Sequence, residues 1–244
     1  MRILKMPQGS AAWWEARRGL PTASDFDKIV TPVRGEFSRQ SVKYIDQLIA
    51  DTVSLSPTWF SDRGGKPPNT AIENGVLREN ESRKWYSLHH DADVQEVGLC
   101  LSDCERYGMS PDGLIGSDGI LELKNPMAKT HSGYLREGGL PPAYRCQVHG
   151  QLLVSGRSFV HFVSYAPTLP PLVVEVVPDD FTKRLGEAVL EFVDKLDAAR
   201  KKMGVAQVFH CPDCGQVLQR RGCDECAVLK FPKTRTTPRM AEEQ

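Results

Sequence analysis

The chain has 244 residues, with 31 Lys and Arg against 31 Asp and Glu, and 40% of its residues are hydrophobic. A formal net charge of zero gives, by itself, no indication of a nucleic-acid partner. Any basic surface must therefore arise from local segregation of charge. No apolar run approaches the roughly 20 residues of a membrane-spanning helix, and the N-terminus lacks an apolar stretch of signal-peptide length. We therefore expect a cytoplasmic protein with no membrane partner, whose seven Cys residues do not form a disulfide framework.

Helices are expected in the N-terminal part of the chain. Ser10 is a candidate N-cap of a first short helix that stops at Gly19, and Ser24 is a candidate cap for a second one over residues 25–30. Ser38 is expected to open a longer helix with one apolar face. The members of that face are Val42, Ile45, Leu48, Ile49 and Val53.

The middle of the chain alternates loop, helix and strand patterns. Residues 54–70 are rich in Pro, Gly and Ser and predict a loop, after which a helix is expected over residues 71–88. A strand is expected over residues 93–102. Residues 109–114 and 120–124 predict two antiparallel strands, because the segment between them is rich in turn-forming residues.

The remaining elements complete a mixed α/β domain over residues 1–205. A helix is expected over residues 143–156, and strands over 158–166 and 171–178, whose near-continuous hydrophobicity predicts burial on both faces. A long amphipathic helix over residues 180–203 closes the domain. Its apolar stripe consists of Phe181, Leu185, Ala188, Val189, Phe192, Leu196 and Ala199.

Two acids and a lysine converge on the predicted hairpin. If the turn is centred on Ser117, Asp112 lies directly opposite Glu122, with Cβ atoms about 5 Å apart. Two carboxylates at that distance repel each other, and a hard cation such as Mg²⁺ or Mn²⁺ would neutralise them. Lys124 points to the same face. The set suits phosphodiester hydrolysis by a metal-activated water, and a surface hairpin with solvated acids is the alternative.

A further acid lies on the helix expected over residues 71–88. Glu79 shares a stripe with Ile72, Val76 and Tyr86, and an acid in an apolar row needs a partner. It is a candidate third metal ligand, or a half-exposed glutamate if a competing apolar face of the helix is the buried one. On the helix expected over residues 143–156, Tyr144, Gln147 and Gln151 form a polar row that either contacts a substrate backbone or faces water.

Four of the cysteines form two CxxC pairs near the C-terminus. The pairs are Cys211 with Cys214 and Cys223 with Cys226, separated by eight residues. This is zinc-ribbon spacing, and it predicts a four-cysteine Zn²⁺ module over residues 206–230 with a flexible tail over 231–244. An iron–sulfur centre or thiols that pair under oxidation are the alternatives, and His210 is a possible substitute ligand.

The role of this module stays open between three readings. Residues 200–239 hold nine Lys and Arg against three Asp and Glu, an excess that favours contact with DNA phosphates. A surface that recruits a recombination partner and a passive stabilising clip are the other two.

Several blocks resemble a known nuclease family. The sequence SPDGL followed by LELKNP is similar to the PD-(D/E)xK nuclease signature. The blocks WWEARRGLPTAS, ENGVLRENESRKWY and YRCQVHGQLLVSG resemble blocks of the phage lambda exonuclease and YqaJ-type viral recombinase family, in the same order. The resemblance implies a restriction-endonuclease-like mixed sheet flanked by helices, and it does not extend to the cysteine pairs.

The resemblance also implies roles for individual residues. Asp112, Glu122 and the Leu123 carbonyl would bind the catalytic Mg²⁺ or Mn²⁺, Lys124 would position the attacking water, and Glu79 would serve a second metal or its water shell. Those that would bind a terminal 5′-phosphate are Arg17, Ser24, Ser110 and Gln147. Arg suits that role because its guanidinium binds phosphate in a bidentate way, although neighbouring Arg18 competes for the assignment.

The activity implied by the resemblance is 5′→3′ digestion of one strand of linear double-stranded DNA, which leaves 3′ single strands for phage-type recombination. It further implies a homotrimeric ring around DNA and a single-strand annealing protein as partner. A structure-selective or restriction-type endonuclease on the same core is one alternative. A zinc-containing DNA-binding protein with an inactive nuclease core is the other.

Overall fold

A computed structural model of the chain describes residues 1–54, 70–205, 209–210 and 217–218. The helices are α1 (Ala11–Arg17), α2 (Ser41–Val53), α3 (Thr70–His90), α4 (Ala128–Glu137), α5 (Pro142–Ser155) and α6 (Asp180–Met203), with a 3₁₀ helix over Ala23–Lys28. The strands are β1 (Arg2–Leu4), β2 (Val94–Gln95), β3 (Leu99–Leu101), β4 (Gly108–Met109), β5 (Gly113–Ile115), β6 (Gly119–Lys124), β7 (Phe159–Ser164), β8 (Leu172–Val176), β9 (Phe209–His210) and β10 (Val217–Leu218).

A five-stranded mixed sheet with the order β2-β5-β6-β7-β8 forms the centre of the fold. The pairs β2–β5, β5–β6 and β7–β8 are antiparallel, whereas β6 and β7 run parallel. A parallel pair needs a long crossover, and α4 and α5 supply it. The mixed α/β architecture flanked by helices that the sequence predicts is confirmed.

Strand β6 is covered on both faces, which positions its side chains. Leu121 and Leu123 pack with Tyr86 of α3 on one face. Ile120 belongs to the main core with residues of α5 and α6 on the other. Since side chains alternate along a strand, Glu122 projects to the same face as Ile120, toward α5.

A second sheet of three antiparallel strands, in the order β1-β3-β4, supports helix α1. Trp13 and Ala16 of α1 pack against Leu4, Leu99 and Leu101 of this sheet. The segment before the 3₁₀ helix is fixed to the same sheet, because the amide of Gly108 donates to the carbonyl of Pro21 at 3.0 Å. Residues near Thr22 are thereby brought beside the end of β4.

Two of the expected strands are wrong as single elements. The strand predicted over residues 93–102 is divided into β2 and β3, which belong to different sheets. The bend lies near Gly98, where an added Cβ would stand 2.1 Å from the carbonyl oxygen of Met6. The strand predicted over residues 109–114 is likewise divided into β4 and β5 around Pro111, because proline has no amide hydrogen to give to a ladder.

Some predicted helix starts and buried positions are also wrong. Ser24 lies inside the 3₁₀ helix, whose N-cap residue is Thr22, and α2 begins three residues after Ser38. Val42 and Val53 are 66% and 59% exposed, since Tyr44 takes the buried position on that helix with Leu48 and Ile49. Strand β8 is an edge strand with partly exposed residues, so the prediction of burial on both faces fails there.

Other predicted boundaries are confirmed. The hydroxyl oxygen of Ser10 accepts a hydrogen bond from the amide of Trp13 and caps α1. Helix α5 ends at Gly156 in a left-handed conformation with φ of 67°. Helix α6 starts at Asp180, directly after the capping residue Asp179, and buries the predicted stripe, with Ala199 partly buried. The sequence patterns missed β1 and α4.

In the described part of the chain, no helix combines the length and hydrophobicity needed to traverse a lipid bilayer.

Candidate functional site

Asp112 and Glu122 meet as the hairpin register requires. The pairs Gly113–Leu121, Leu114–Ile120 and Ile115–Gly119 continue, one step beyond β5, to Asp112 opposite Glu122. The turn that sets this register contains Gly116 with φ of 49°, a left-handed conformation that glycine adopts without strain. The predicted centring of the turn on Ser117 is confirmed.

The Glu122 carboxylate is buried and held by three donors. The residue is only 1% exposed. Oε1 accepts from the Lys124 ammonium and from Nε2 of Gln147, the latter at 2.6 Å. Oε2 accepts from Nε2 of Gln151 at 2.5 Å. Charge-assisted hydrogen bonds of this kind are strong and hold the acid in one orientation.

The Asp112 carboxylate is joined to the same strand. Its Oδ2 accepts a hydrogen bond from the backbone amide of Leu123 at 2.6 Å. Desolvation, and after it the negative charge of Glu122, raises the pKa of Asp112 well above its usual value. The two acids therefore repel each other when both are ionised, and a positive charge between them would reduce that repulsion.

Lys124 provides part of that positive charge. Burial lowers the pKa of its ammonium, but the negative charges of Glu122 and Asp112 outweigh burial, so its pKa lies above the usual value. The ammonium also stands 5.2 Å from the centre of the Tyr144 ring, within the range of a cation–π contact. Lys124 is therefore a protonated donor in this environment.

Glu79 lies at the side of this group and is held by an arginine. Its Oε1 accepts from Nη2 of Arg83 at 2.6 Å. Nε of Arg83 donates to the backbone carbonyl of Asp112 at 3.2 Å, so one guanidinium links α3 to the start of β5. Arg83 also approaches Glu96 at 3.3 Å.

The donor set suits a hard cation in part. Across residues 1–54 and 70–205, no three His, Cys, Asp or Glu side chains are arranged to hold a metal ion. The acids that do lie opposite each other, Asp112 and Glu122, offer the oxygen ligands that Mg²⁺ and Mn²⁺ prefer. A cation bound between these carboxylates would reduce their mutual repulsion, which favours its binding. The Leu123 carbonyl lies on the same strand, between Glu122 and Lys124.

Arg17 sits in a second polar group a short distance from the acids. Nη1 donates to Ser110 Oγ at 3.0 Å, and Nη2 donates to Thr22 Oγ1 at 2.9 Å and to Ser24 Oγ at 3.2 Å. The guanidinium carbon lies 4.5 Å from the centre of the Trp13 ring. Burial lowers the pKa of Arg17 from its usual value, with Asp25 opposing that effect.

These hydrogen-bond partners of Arg17 are uncharged hydroxyls, so they do not neutralise its charge. Ser110 Oγ also accepts from Nε1 of Trp13 at 3.0 Å, and a hydroxyl with both lone pairs in use has only its hydrogen left to offer. A partly buried guanidinium beside hydroxyl groups has the chemistry that can bind an anion.

A cavity of about 160 Å³ lies beside Arg17. Its lining residues are Gln8, Trp13, Arg17, Ala23, Ser24, Ser110, Gln147 and Gln151. All four residues that the resemblance assigns to a 5′-phosphate thus line one space, and two of the lining side chains, Gln147 and Gln151, also hold Glu122. A larger cavity of about 1010 Å³ adjoins it and reaches Trp13, Glu79 and Asp112.

Arg18 points elsewhere. Its guanidinium pairs with Glu15 and donates to the carbonyl of Ser54 at 3.0 Å. The choice between neighbouring arginines is therefore made by side-chain direction, because successive residues of a helix point about 100° apart. Arg17, and not Arg18, lines the cavity.

Sequence reasoning missed several members of the site. Trp13, Thr22 and Arg83 were not candidates, and Gln151 was left open between substrate and solvent. The spacing of Gln151 from Gln147 was the available signal, since residues four apart on a helix share a face. No local pattern marks Thr22 or Arg83. Cys211, Cys214, Cys223 and Cys226 lie outside the described residues.

Comparisons with known proteins assign a family and a fold. The family model of the YqaJ-like viral recombinase domain matches residues 12–158. The chain is similar to the crystal structure of LHK-Exo, an alkaline exonuclease from Laribacter hongkongensis, with a TM-score of 0.62, 26% identity, and coverage of 80% of this chain and 98% of that one. A structure of LHK-Exo in complex with dAMP matches with a TM-score of 0.63, 25% identity and the same coverage. A search of curated proteins found no match.

Proposed function

Because the chain belongs to the YqaJ-like viral recombinase domain family, we propose that it is a Mg²⁺- or Mn²⁺-dependent 5′→3′ exonuclease that degrades one strand of linear double-stranded DNA. The similarity to an alkaline exonuclease over 80% of the chain supports a nuclease of the exonuclease type. The product would be a 3′ single strand suited to phage-type recombination.

One observation carries the proposal beyond a general nuclease. The cavity that holds Arg17 shares Gln147 and Gln151 with the Glu122 carboxylate. An anion bound at Arg17 would therefore lie beside the acid pair. A terminal phosphate is such an anion, and it exists only at a DNA end. An enzyme that needs it would cut linear duplex from the end and leave closed circles intact.

Basic and hydroxyl side chains would bind the DNA end and assist hydrolysis. Arg17 binds the terminal 5′-phosphate, and the hydroxyls of Ser24 and Ser110 donate to its oxygens. Lys124, protonated, orients the attacking water and stabilises the charge that develops on the scissile phosphate.

The acids would hold the cation. Asp112 and Glu122, with the Leu123 carbonyl, would bind it, and Glu79 would serve a second ion or its water shell. When bound, the cation supplies an activated water and neutralises phosphate charge.

The first experiment is digestion of 5′-phosphorylated linear duplex DNA with Mg²⁺, with EDTA as the control. We expect acid-soluble nucleotides from the linear substrate, none in EDTA, and none from closed circular duplex. Cutting of the circle would instead indicate the endonuclease alternative. Binding without cutting under all metal conditions would indicate the inactive DNA-binding alternative.

The wider setting follows the family. A homotrimeric ring would explain a chain with zero net charge, because only the lining of its channel need be basic. A single-strand annealing protein is the proposed partner, and the cytoplasm of a host cell is the proposed place of action. Sedimentation of the protein with and without duplex ends tests the oligomer.

The cysteine pairs would form a separate zinc module. Strands β9 and β10 pair antiparallel and bracket Cys211 and Cys214, an arrangement that supports a ribbon. Zn²⁺ binding would supply the folding energy of so small a unit. Changing Cys211 and Cys214 together to Ser should release one Zn²⁺ per chain, measured by elemental analysis, and a wild-type protein without zinc would contradict the module.

A further inference from the structure

Gln151 makes a hydrogen bond with only one half of its amide. Its side chain is 1% exposed, and its Nε2 donates to Glu122 Oε2 at 2.5 Å. An ionised carboxylate only accepts hydrogen bonds, so the amide nitrogen must face Glu122 and the amide oxygen must face away. Within the described part of the chain, that buried Oε1 has no hydrogen-bond partner.

A buried acceptor without a donor is destabilising and rare in folded proteins. Gln151 also lines the cavity of about 160 Å³ beside Arg17. The unpaired oxygen is therefore a candidate acceptor for a hydrogen-bond donor held in this cavity.

The chemistry of that ligand is restricted. A fully ionised phosphate oxygen only accepts, so it suits Arg17 and the hydroxyls of Ser24 and Ser110 but not the amide oxygen of Gln151. Water both donates and accepts, and a polar cavity of this size has room for it. A water molecule between Gln151 and a bound phosphate satisfies both.

Gln151 also holds the Glu122 carboxylate in one orientation. Lys124 and Gln147 both donate to Oε1, whereas the hydrogen bond from Gln151 is made to Oε2. Loss of Gln151 would leave Oε2 free to rotate away from the position opposite Asp112.

We propose that Gln151 is a positioning residue of the hydrolytic site. Its amide nitrogen fixes Glu122 Oε2, and its amide oxygen orients a water molecule in the cavity beside that acid. This inference rests on the proposed nuclease function. Partners that orient a metal-ligating group typically change metal affinity or activity by about 10–100-fold when they are removed.

The test compares wild type with Gln151→Met, which keeps the length of the side chain but loses both polar atoms. Steady-state digestion of 5′-phosphorylated duplex gives kcat and KM. Calorimetric titration of the DNA-free protein with Mn²⁺ gives a readout that does not depend on cleavage. Gln47→Met, the same change at an exposed position of α2, is the matched control.

We expect kcat to fall about 10–100-fold in Gln151→Met, with KM within about threefold of wild type and Mn²⁺ affinity weakened about tenfold. Gln151→His retains one donor and one acceptor and should give intermediate values; it also serves if Gln151→Met fails to fold. Unchanged kcat and Mn²⁺ affinity in a folded variant would overturn the inference.

A rise in KM with unchanged kcat, together with loss of preference for 5′-phosphorylated ends, would also overturn it, because Gln151 would then bind the phosphate itself. A wild-type protein that binds Mn²⁺ but never cuts DNA would overturn the proposed function instead. The Mn²⁺ titrations would still decide whether Gln151 positions Glu122.

Discussion

The acid pair and the Arg17 cavity are neighbours with opposite electrostatic character. Asp112 and Glu122 place two carboxyl groups beside each other, and the Lys124 ammonium pairs with Glu122. Arg17 brings in a positive charge whose hydrogen-bond partners are neutral hydroxyls. In the proposed function, each region would bind a ligand of the opposite sign. One helix, α5, contacts both regions, because its Gln147 and Gln151 hold Glu122 and also line the cavity beside Arg17.

The largest expected effect on cleavage comes from a substitution beside the acid pair. Lys124→Ala should reduce cleavage by about 10²–10³-fold or more, because the positive charge beside the scissile phosphate is lost. Binding to duplex DNA should change little, measured by fluorescence anisotropy in Ca²⁺. Lys129→Ala, at an exposed position of α4, is the control, and a fully active Lys124→Ala protein would refute the assignment.

The next largest expected effect comes from a substitution in the Arg17 cavity. Arg17→Met should lower kcat/KM for 5′-phosphorylated duplex by roughly 10–100-fold, as expected for charged hydrogen bonds of about 1.5–3 kcal/mol. Activity on 5′-hydroxyl duplex should change far less, so the preference between the two ends disappears. Arg18→Met should keep that preference, because Arg18 pairs with Glu15. If both variants behave alike, the cavity does not bind the end.

The smallest expected effect is a change in thermal stability on substitution of Asp112. The pKa of Asp112 is raised in the folded chain, so its contribution to stability is present below the unfolded pKa of about 3.9 and is lost as pH rises through the folded pKa. In EDTA at pH 8, Asp112→Asn should therefore have a higher Tm than wild type by a few degrees, since about 1 kcal/mol corresponds to roughly 2–4 °C in a chain of this length.

The same melting experiments contain their own controls. At pH 4 the difference between Asp112→Asn and wild type should shrink, and Mn²⁺ at pH 8 should raise the Tm of wild type more than that of the variant. Asp118→Asn, in the exposed turn of the same hairpin, should show neither effect. A Tm difference that is independent of pH would rule out repulsion between the acids as its source.

The acid pair could be predicted from sequence because its geometry is local. Asp112 and Glu122 belong to one hairpin, and a turn centred on Ser117 with a side-chain period of two fixes which residues face each other. Lys124 follows by the same period. The division of the preceding strand at Pro111 did not disturb this result, because the register is set on the turn side of Asp112.

The Arg17 cavity had no such local rule. Arg17 and Ser110 are 93 residues apart in sequence, and only the packing of α1 on the small sheet brings them together. The family resemblance supplied the names of the residues, whereas their common cavity, the direction of Arg17 and the added partner Thr22 came from the fold.

Helix α4 shows why some elements escape pattern reading. Its sequence AKTHSGYLRE contains Gly, Thr, Ser and His, which are weak helix formers, and it has no side-chain N-cap. A tertiary contact compensates: His131 is fully buried, bonded to Ser164 Oγ at 2.7 Å and to the Pro170 carbonyl at 2.9 Å. Tertiary packing has overridden a low intrinsic propensity.

Periodicity and turn chemistry act over a few residues, so the amino-acid sequence was enough to predict the α/β class, the hairpin register and the placement of two carboxylates and an ammonium on one face. Tertiary packing was needed to show that Gln147 and Gln151 turn inward to Glu122 and that Arg17 rather than Arg18 lines the cavity. It also showed that the Arg17 cavity and Glu122 share those two glutamines. Those outcomes depend on which distant surfaces pack together, and burial free energy, summed over the whole core, selects that packing.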